Sequence, residues 1–436
     1  MVESIPLRAS SSAPPVVRPI FPTADAGYYA LRTVPPKATY GPKDYVVLVG
    51  ELFTRGYVNG LLRSAQNQNM SIIYSTVGRR DSDGQLRPLN EEELSHKPGS
   101  LINIPLEAGF DMEPDTEGTT LVDDLQGIKM KEWESATVNL DKLERVRAQA
   151  EKRFRRHLRD FLQQVRARIP NDSKVLFVHT MAGGVPRAKI IMPIMNRVFK
   201  GRGERFESSE KFWHSPLGQL CEASFAEVTA NTFRYLIEES ADFRRTQKGG
   251  EVNYVAYGYH GTEVMIGDHY QWQSYAPYLQ GWAKVQLENE ARRARQNHVR
   301  ATVYNCPEIL TNSSSIFQGV EVPLYPYLAA LKKEAGEQPR ARQLIDQCRQ
   351  LLKPEFSLEQ LKQTTDRFLQ SSVNAQWTDF PRWPLHNGRE QMEWLLNTSD
   401  ALIDMHIDPK QLITFVLSEE IFTGTGELIF RGSQSV

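Results

Sequence analysis

The sequence predicts an α/β fold: a doubly wound parallel sheet with insertions and a helical C-terminal extension. Three observations predict it. Apolar runs such as Asp44-Tyr-Val-Val-Leu-Val-Gly50 and Lys174-Val-Leu-Phe-Val-His179 show no alternation, as expected of strands buried on both faces. Such runs alternate with helical segments from residue 45 to residue 304, which makes neighbouring strands parallel, joined by crossovers. Two long polar or irregular stretches, 80–135 and 185–225, are placed as insertions at the ligand end of that sheet, where loops after parallel strands gather.

In chain order, residues 1–40 are rich in Pro, Ser and Ala and read as an extended or disordered arm. The first strand is followed by a helix from about Tyr57 to Gln66, then by the strand Ser71–Thr76. A strand is expected at Leu101–Leu106 and a long basic helix over Asn139–Ile169. Further helices are expected at Ala226–Ser240, Tyr278–Asn297, Pro323–Lys333 and Pro339–Leu352, and strands at Glu251–Tyr257 and Val299–Tyr304. Past about Ser357 the chain looks helical and ends in a strand-like Glu427-Leu-Ile-Phe430. No linker divides 41–350, so that stretch is read as one enlarged domain with 351–436 packed on it.

Composition narrows the function. The chain has 436 residues and a formal net charge of -1, so nothing global favours nucleic acid or a membrane surface. Cys221, Cys306 and Cys348 are far apart and form no C-x-x-C pair. A disulfide framework and a cysteine-rich zinc site are not expected. The nine histidines form no metal-binding spacing. No run of about 18 apolar residues is present, and the first residues lack a secretory apolar region. A cytoplasmic setting is expected.

Four segments carry the chemistry. The turn after the first strand, Gly50-Glu-Leu-Phe-Thr-Arg-Gly56-Tyr57-Val-Asn-Gly60, leads into a helix whose free N–H groups would face a pyrophosphate. Its spacing is looser than G-x-G-x-x-G, and ordinary turn glycines are the competing reading. After the second strand the first charges are Arg79 and Arg80, where a basic residue accommodates a 2′-phosphate. This favours NADPH with NADH possible, unless the two are merely solvated. After the fourth strand, Ala182 and Gly183 are small enough to lie against a nicotinamide ribose, or to form a plain turn. Finally, Tyr275-Ala-Pro-Tyr278-Leu-Gln-Gly281-Trp-Ala-Lys284 opens the helix after the fifth strand. A phenol polarises a carbonyl, and a nearby lysine holds the cofactor and lowers the phenol's pKa.

With these residues the chain resembles the trans-2-enoyl-CoA reductase and FabV-type enoyl-ACP reductase family, within the Rossmann-type short-chain dehydrogenase/reductase superfamily. Tyr275 and Lys284 have its Tyr-x8-Lys spacing, and Tyr257-Gly-Tyr259-His-Gly-Thr-Glu263 is similar to its Tyr-Ser-Tyr-Ile-Gly-Pro-Glu segment. Gly281–Glu288, Leu310–Ser315 and Val322–Lys333 also match, and the likeness is best over 251–340. The resemblance implies reduction of the C=C bond of a 2-enoyl thioester on CoA or an acyl carrier protein, with hydride from NAD(P)H. It implies that Tyr275 polarises the thioester, Lys284 holds the cofactor, Tyr259 lines the acyl site and Thr311 lies near the pyrophosphate. Extra residues between Glu263 and Tyr275 leave Tyr270 and Tyr278 open as the working tyrosine. The alternatives are a ketoacyl reductase of the same superfamily, which the lack of a serine before the tyrosine disfavours, and a Rossmann-like scaffold without activity. The basic helix 139–169 is either a docking face for an acidic carrier protein or a solvated amphipathic face.

Overall fold

The computed structural model describes residues 34–248, 251–258, 262–273, 279–307, 318–319, 322–374 and 386–434. Six parallel strands form its central sheet: β1 (Tyr45–Val49), β2 (Ser71–Thr76), β5 (Leu101–Pro105), β6 (Val175–His179), β7 (Val252–Gly258) and β10 (Ala301–Asn305). Between them lie two antiparallel hairpins, β3 (Arg79–Arg80) with β4 (Leu86–Arg87), and β8 (Thr262–Ile266) with β9 (His269–Gln273). The sheet order is β10-β7-β6-β1-β2-β5. The chain winds from β1 to one edge, returns to β6, and winds to the other. The winding direction reverses at the β1/β6 seam, where Val49 pairs with His179.

All six expected sheet strands are present, and the physical reason is visible in their burial. Val47 and Val49 of β1, Val175 and Phe177 of β6, and Tyr254 and Ala256 of β7 face one side. There they meet α4 (Leu140–Arg168), α8 (Thr232–Glu239) and α10 (Leu279–Gln296). Val46 and Leu48, Leu176 and Val178, and Val255 face the other side, against α1 (Tyr57–Asn67) and the C-terminal helix Ile413–Gly432. A strand buried on both faces needs apolar residues at every position, so its run does not alternate.

The insertions fold into short elements. α2 (Glu91–Ser95) and α3 (Leu121–Asp124) lie in the first, each opened by a capping box, from Asn90 and Thr120. The second holds α5 (Ile191–Lys200), α6 (Ser209–His214) and α7 (Pro216–Phe225). The helix expected at Ala226–Ser240 starts earlier, at Pro216, and runs through a π-helical turn, Ala226–Asn231, into α8. A short α9 (Ala241–Thr246) precedes β7. After β10 come α11 (Pro326–Ala335), α12 (Pro339–Gln350), α13 (Leu358–Leu369) and the helix Arg389–Asp404.

The strand-like Glu427–Phe430 is not a strand. It belongs to the C-terminal helix, where Phe422, Gly426, Ile429 and Phe430 recur at helical spacing on the buried face. That face packs on α1 at backbone distance. A Cβ on Gly60 would lie 1.9 Å from the Phe422 carbonyl oxygen, and one on Gly426 would lie 2.3 Å from the Leu61 nitrogen. Tyr40 Oη and Ser433 Oγ, 3.1 Å apart, join the segment before β1 to the end of this helix.

Candidate active site

The carboxyl ends of β1, β2 and β6 are tied together by short polar contacts. Gly50 follows β1 with φ +118, a conformation that glycine alone adopts cheaply. A Cβ there would also sit 2.5 Å from Thr180 Oγ1. The Gly50 N–H donates to Ser75 Oγ at 2.9 Å, and the Ser75 hydroxyl donates back to the Gly50 carbonyl at 3.1 Å. The Thr180 N–H bonds the Val49 carbonyl at 2.9 Å. The first glycine of the turn therefore lets three strand ends approach one another.

The two later glycines behave differently. Gly56, the N-cap of α1, has extended backbone and nothing within 4 Å of where a Cβ would stand. Among the described residues no side chain caps this helix, and no acid lies in its first turn. Its positive end faces the ligand edge, which suits an anion. Gly60, one turn on, is packed against the C-terminal helix. Tyr57 between them is buried; its hydroxyl donates to the Pro307 carbonyl, and its ring stacks on Tyr257 at 6.2 Å.

Arg79 and Arg80 are not available as the sequence suggested. Arg79 forks onto Glu51, with both nitrogen–oxygen distances 2.9 Å. Lys97 Nζ adds a third contact to Glu51 at 2.7 Å. Burial alone would raise the Glu51 carboxyl, but these hydrogen bonds and charges outweigh it and hold its pKa at about 2. Arg80 reaches Glu107 at 2.5 Å, Glu113 at 3.3 Å and the Gly84 carbonyl at 2.6 Å. Each guanidinium already has a carboxylate. Residue typing placed cations at the end of β2, but it did not see the acid that follows Gly50. An acid directly after the first glycine was the available signal.

After β6, Ala182 is exposed, and Gly183 has φ +98 with open space where a Cβ would be. This loop rests on the π-helical turn. The Thr229 hydroxyl donates to the Gly183 carbonyl at 3.3 Å, and a Cβ on Gly184 would lie 2.7 Å from the Ser224 carbonyl oxygen. π-helical turns often mark functional sites because they re-aim the residues they carry. His179 is buried beneath the loop, with Nε2 2.8 Å from Thr232 Oγ1. Burial, and then the nearby Lys284 charge, push its pKa down to about 3, so the imidazole is neutral.

Lys284 lies on α10 and is buried, with Nζ donating to the Tyr257 carbonyl at 2.7 Å. Burial lowers its pKa to about 8. It sits at the carboxyl end of β7, close enough to His179 and Cys306 for charge coupling to each. Tyr259, Tyr275, Tyr278 and Thr311 lie outside the described residues. Tyr270 lies within them, in β9; it is exposed, and its hydroxyl donates to Glu334 of α11 at 2.9 Å.

A parallel sheet wound outward from a β1/β6 seam, an uncapped helix pointing at that seam, and a buried lysine on the helix after the fifth strand define a Rossmann-type dinucleotide fold. The chain matches the family "Enoyl-acyl carrier protein reductase FabMG" over residues 27–436 and belongs to it. It is similar to an apo structure of FabMG, a novel type of enoyl-acyl carrier protein reductase: 44% identity, 93% of this chain and 93% of that chain covered, TM-score 0.89. It is also similar to an NADH-bound structure of FabMG, with 39% identity, 93% and 92% coverage, and a TM-score of 0.73. No curated protein matches. The enoyl-ACP reductase resemblance thus holds, with FabMG as the family matched in place of the trans-2-enoyl-CoA reductase and FabV type. The protein is an oxidoreductase that reduces 2-enoyl thioesters. The ketoacyl-reductase and scaffold alternatives fall away. Among the described residues no helix is long and apolar enough to cross a membrane.

Proposed function

We propose that this chain reduces the C=C bond of a 2-enoyl group carried on an acyl carrier protein, with NADH bound across the β1/β6 seam. The observation that carries this reading is Lys284: a buried ammonium at the carboxyl end of the sheet, on the helix that Tyr275 precedes. The edge fits a dinucleotide. Gly56 and Gly183 leave open space, and the α1 N-terminus offers uncapped N–H groups.

The preference for NADH over the NADPH suggested by sequence rests on Glu51. Its carboxylate lies at the end of β2, with Thr76 Oγ1 3.5 Å away. An acid at this place accepts a ribose hydroxyl and repels a 2′-phosphate. The arginines that would have welcomed that phosphate are already ion-paired. The NADH-bound FabMG structure agrees with this reading.

When bound, the nicotinamide supplies hydride to the β-carbon of the enoyl group. The chain's own residues do the rest. Lys284 holds the cofactor ribose, and its charge makes a nearby phenol a stronger hydrogen-bond and proton donor. Tyr275 donates a hydrogen bond to the thioester carbonyl oxygen and stabilises the negative charge that develops there. Tyr259 lines the acyl site, and Thr311 lies near the pyrophosphate. The Tyr-x8-Lys spacing shared with the trans-2-enoyl-CoA reductases supports this choice of tyrosine. Tyr270 is the weaker candidate, because its hydroxyl is turned to Glu334 on the surface.

Residues 41–350 form the reductase domain in this proposal, with 351–436 packed on it through the α1 contact. Cys221, Cys306 and Cys348 are buried and form no disulfide with one another, which fits a cytoplasmic setting. The test follows NADH and NADPH oxidation with crotonyl-acyl carrier protein. NADH consumption that falls about a hundredfold in Tyr275→Phe and Lys284→Ala supports the assignment. Full activity of Tyr275→Phe would move the role to Tyr278 or Tyr259.

A further inference from the structure

From the charge and placement of α4 we infer that the N-terminal half of this helix is the docking face for the acyl carrier protein. The inference rests on the carrier-bound substrate proposed above.

The helix carries ten lysines and arginines; apart from Arg168 at its end, the structure divides them into two groups. Arg153 and Arg155 turn inward or sideways onto Glu113, Glu238 and Glu239, and Lys142 is buried on Asp124 and Asp115. Arg147 reaches Glu227 of the π-helical turn at 3.3 Å. The outward face is different. Arg145, Lys152, Arg156, Arg159 and Arg166 are all exposed. Their spacings of seven, four, three and seven residues keep them on one stripe. Three exposed carboxylates, Asp141, Glu144 and Asp160, lie on or beside that face, with Glu144 paired to Arg147, so the five cations of the stripe still outnumber them. Arg159 bonds Glu239 at 3.2 Å. Arg145, Lys152 and Arg156 have no ion-pair partner among the described residues.

The helix also overhangs the ligand edge. Arg168 at its C-terminal end donates to the Ser100 carbonyl, just before β5. His157 Nδ1 lies 2.9 Å from the Pro105 carbonyl at the end of β5, and Arg153 donates to the carbonyls of Glu107 and Gly109 beyond it. Residues 140–152 therefore extend past the carboxyl end of the sheet, on the side where the active site opens. From Arg145 to Arg156 the stripe spans about 16 Å at 1.5 Å per residue. The chain as a whole has a net charge of -1, so this field is local.

A surface that is basic, solvated and beside the site entrance matches an acidic carrier domain that delivers its acyl group on a flexible arm. Complementary charge of this kind acts mainly on encounter rate and salt dependence. It is not needed by a substrate without the carrier.

The test compares crotonyl-acyl carrier protein with the crotonyl N-acetylcysteamine thioester. The triple variant Arg145→Glu/Lys152→Glu/Arg156→Glu should lower kcat/KM for the carrier-bound substrate about tenfold or more and abolish its salt dependence. It should change kcat/KM for the small thioester less than about twofold. Arg166→Glu, on the same stripe but at the far end, should alter neither. Titration of the carrier protein against wild type and triple variant, with melting temperature as the folding check, reads the surface directly. Unchanged carrier binding in the triple variant, or equal loss with both substrates, overturns the inference. Carrier binding that weakens while wild type turns over neither substrate would support the docking face and count against the proposed reaction.

Discussion

The two halves of the sheet meet the ligand edge with opposite electrostatics. On the β2/β5 side nearly every charge is matched: Glu51 by Arg79 and Lys97, Arg80 by Glu107 and Glu113, Arg187 by Glu107 and Asp111. On the β7/β10 side the Lys284 ammonium is buried and donates to a backbone carbonyl, and burial drives its pKa down. The first half ties its charges into pairs that hold loop shape, Glu51 being the one proposed to meet the ribose as well. In the second, the Lys284 charge sits where burial lets its protonation state respond to what binds. Charged residues near a sheet edge are therefore weak guides to chemistry until their partners are known.

The largest expected effect comes from removing the charge that distinguishes the second half. Lys284→Ala should lower kcat/KM about a hundredfold with NADH, while Lys284→Arg should recover part of it. Loss of activity with unchanged NADH affinity would move the lysine from cofactor holding to tuning the phenol.

Next is a contrast within one helix of the first half. Gly60→Ala forces α1 off the Phe422 carbonyl and should cost roughly 2–3 kcal/mol of stability, read by denaturant melting. Gly56→Ala should leave stability within about 0.5 kcal/mol and weaken NADH binding instead. Equal behaviour of the two variants would break the distinction drawn between them.

A smaller effect is expected at Glu51. Glu51→Gln frees Arg79 and should raise the NADPH-to-NADH ratio of kcat/KM roughly tenfold. The same variant tests linkage. The carboxyl's folded pKa of about 2 lies below its ordinary 4.5, so its contribution is fully present above about pH 4.5. It is lost as pH falls toward 2. The acid limb of the stability profile should flatten in the variant.

The smallest effect is a pH dependence. Lys284 is cationic below about pH 8 and neutral above it. NADH affinity should weaken as pH rises through that value, and Lys284→Arg should remove the inflection.

The sheet was legible because its signal is local. A strand covered on both faces must be apolar at consecutive positions, as β1 and β6 are, while the partly buried edge strands β5 and β10 kept enough of an apolar run to be read. The β8–β9 hairpin was overlooked although its two-residue Gly267-Asp268 turn, with Gly267 at φ +65, carries a recognisable signature. Glu427–Phe430 was misread because four residues are too few to separate period two from period 3.6. The site was only partly legible. Lys284, singled out by its spacing to Tyr275, lies buried at the carboxyl end of β7. The partners of Arg79 and Arg80 were not legible, since Glu51 is 28 residues from Arg79 and Glu107 is 27 from Arg80, and only the folded sheet brings them together.

The seating of the C-terminal helix on α1 bears on how the polypeptide matures. During synthesis the residues of β1, α1 and β2 leave the ribosome first, yet the surface that covers α1 is made of residues 413–432. Until those emerge, Leu61, Leu62 and their neighbours lack the Phe422, Ile429 and Phe430 side of their cluster. Domains tend to fold from the N-terminus as they are made, but here the first strands and α1 must wait for the helix Ile413–Gly432. A nascent chain halted before residue 413 should therefore bind no cofactor and be a client for chaperones.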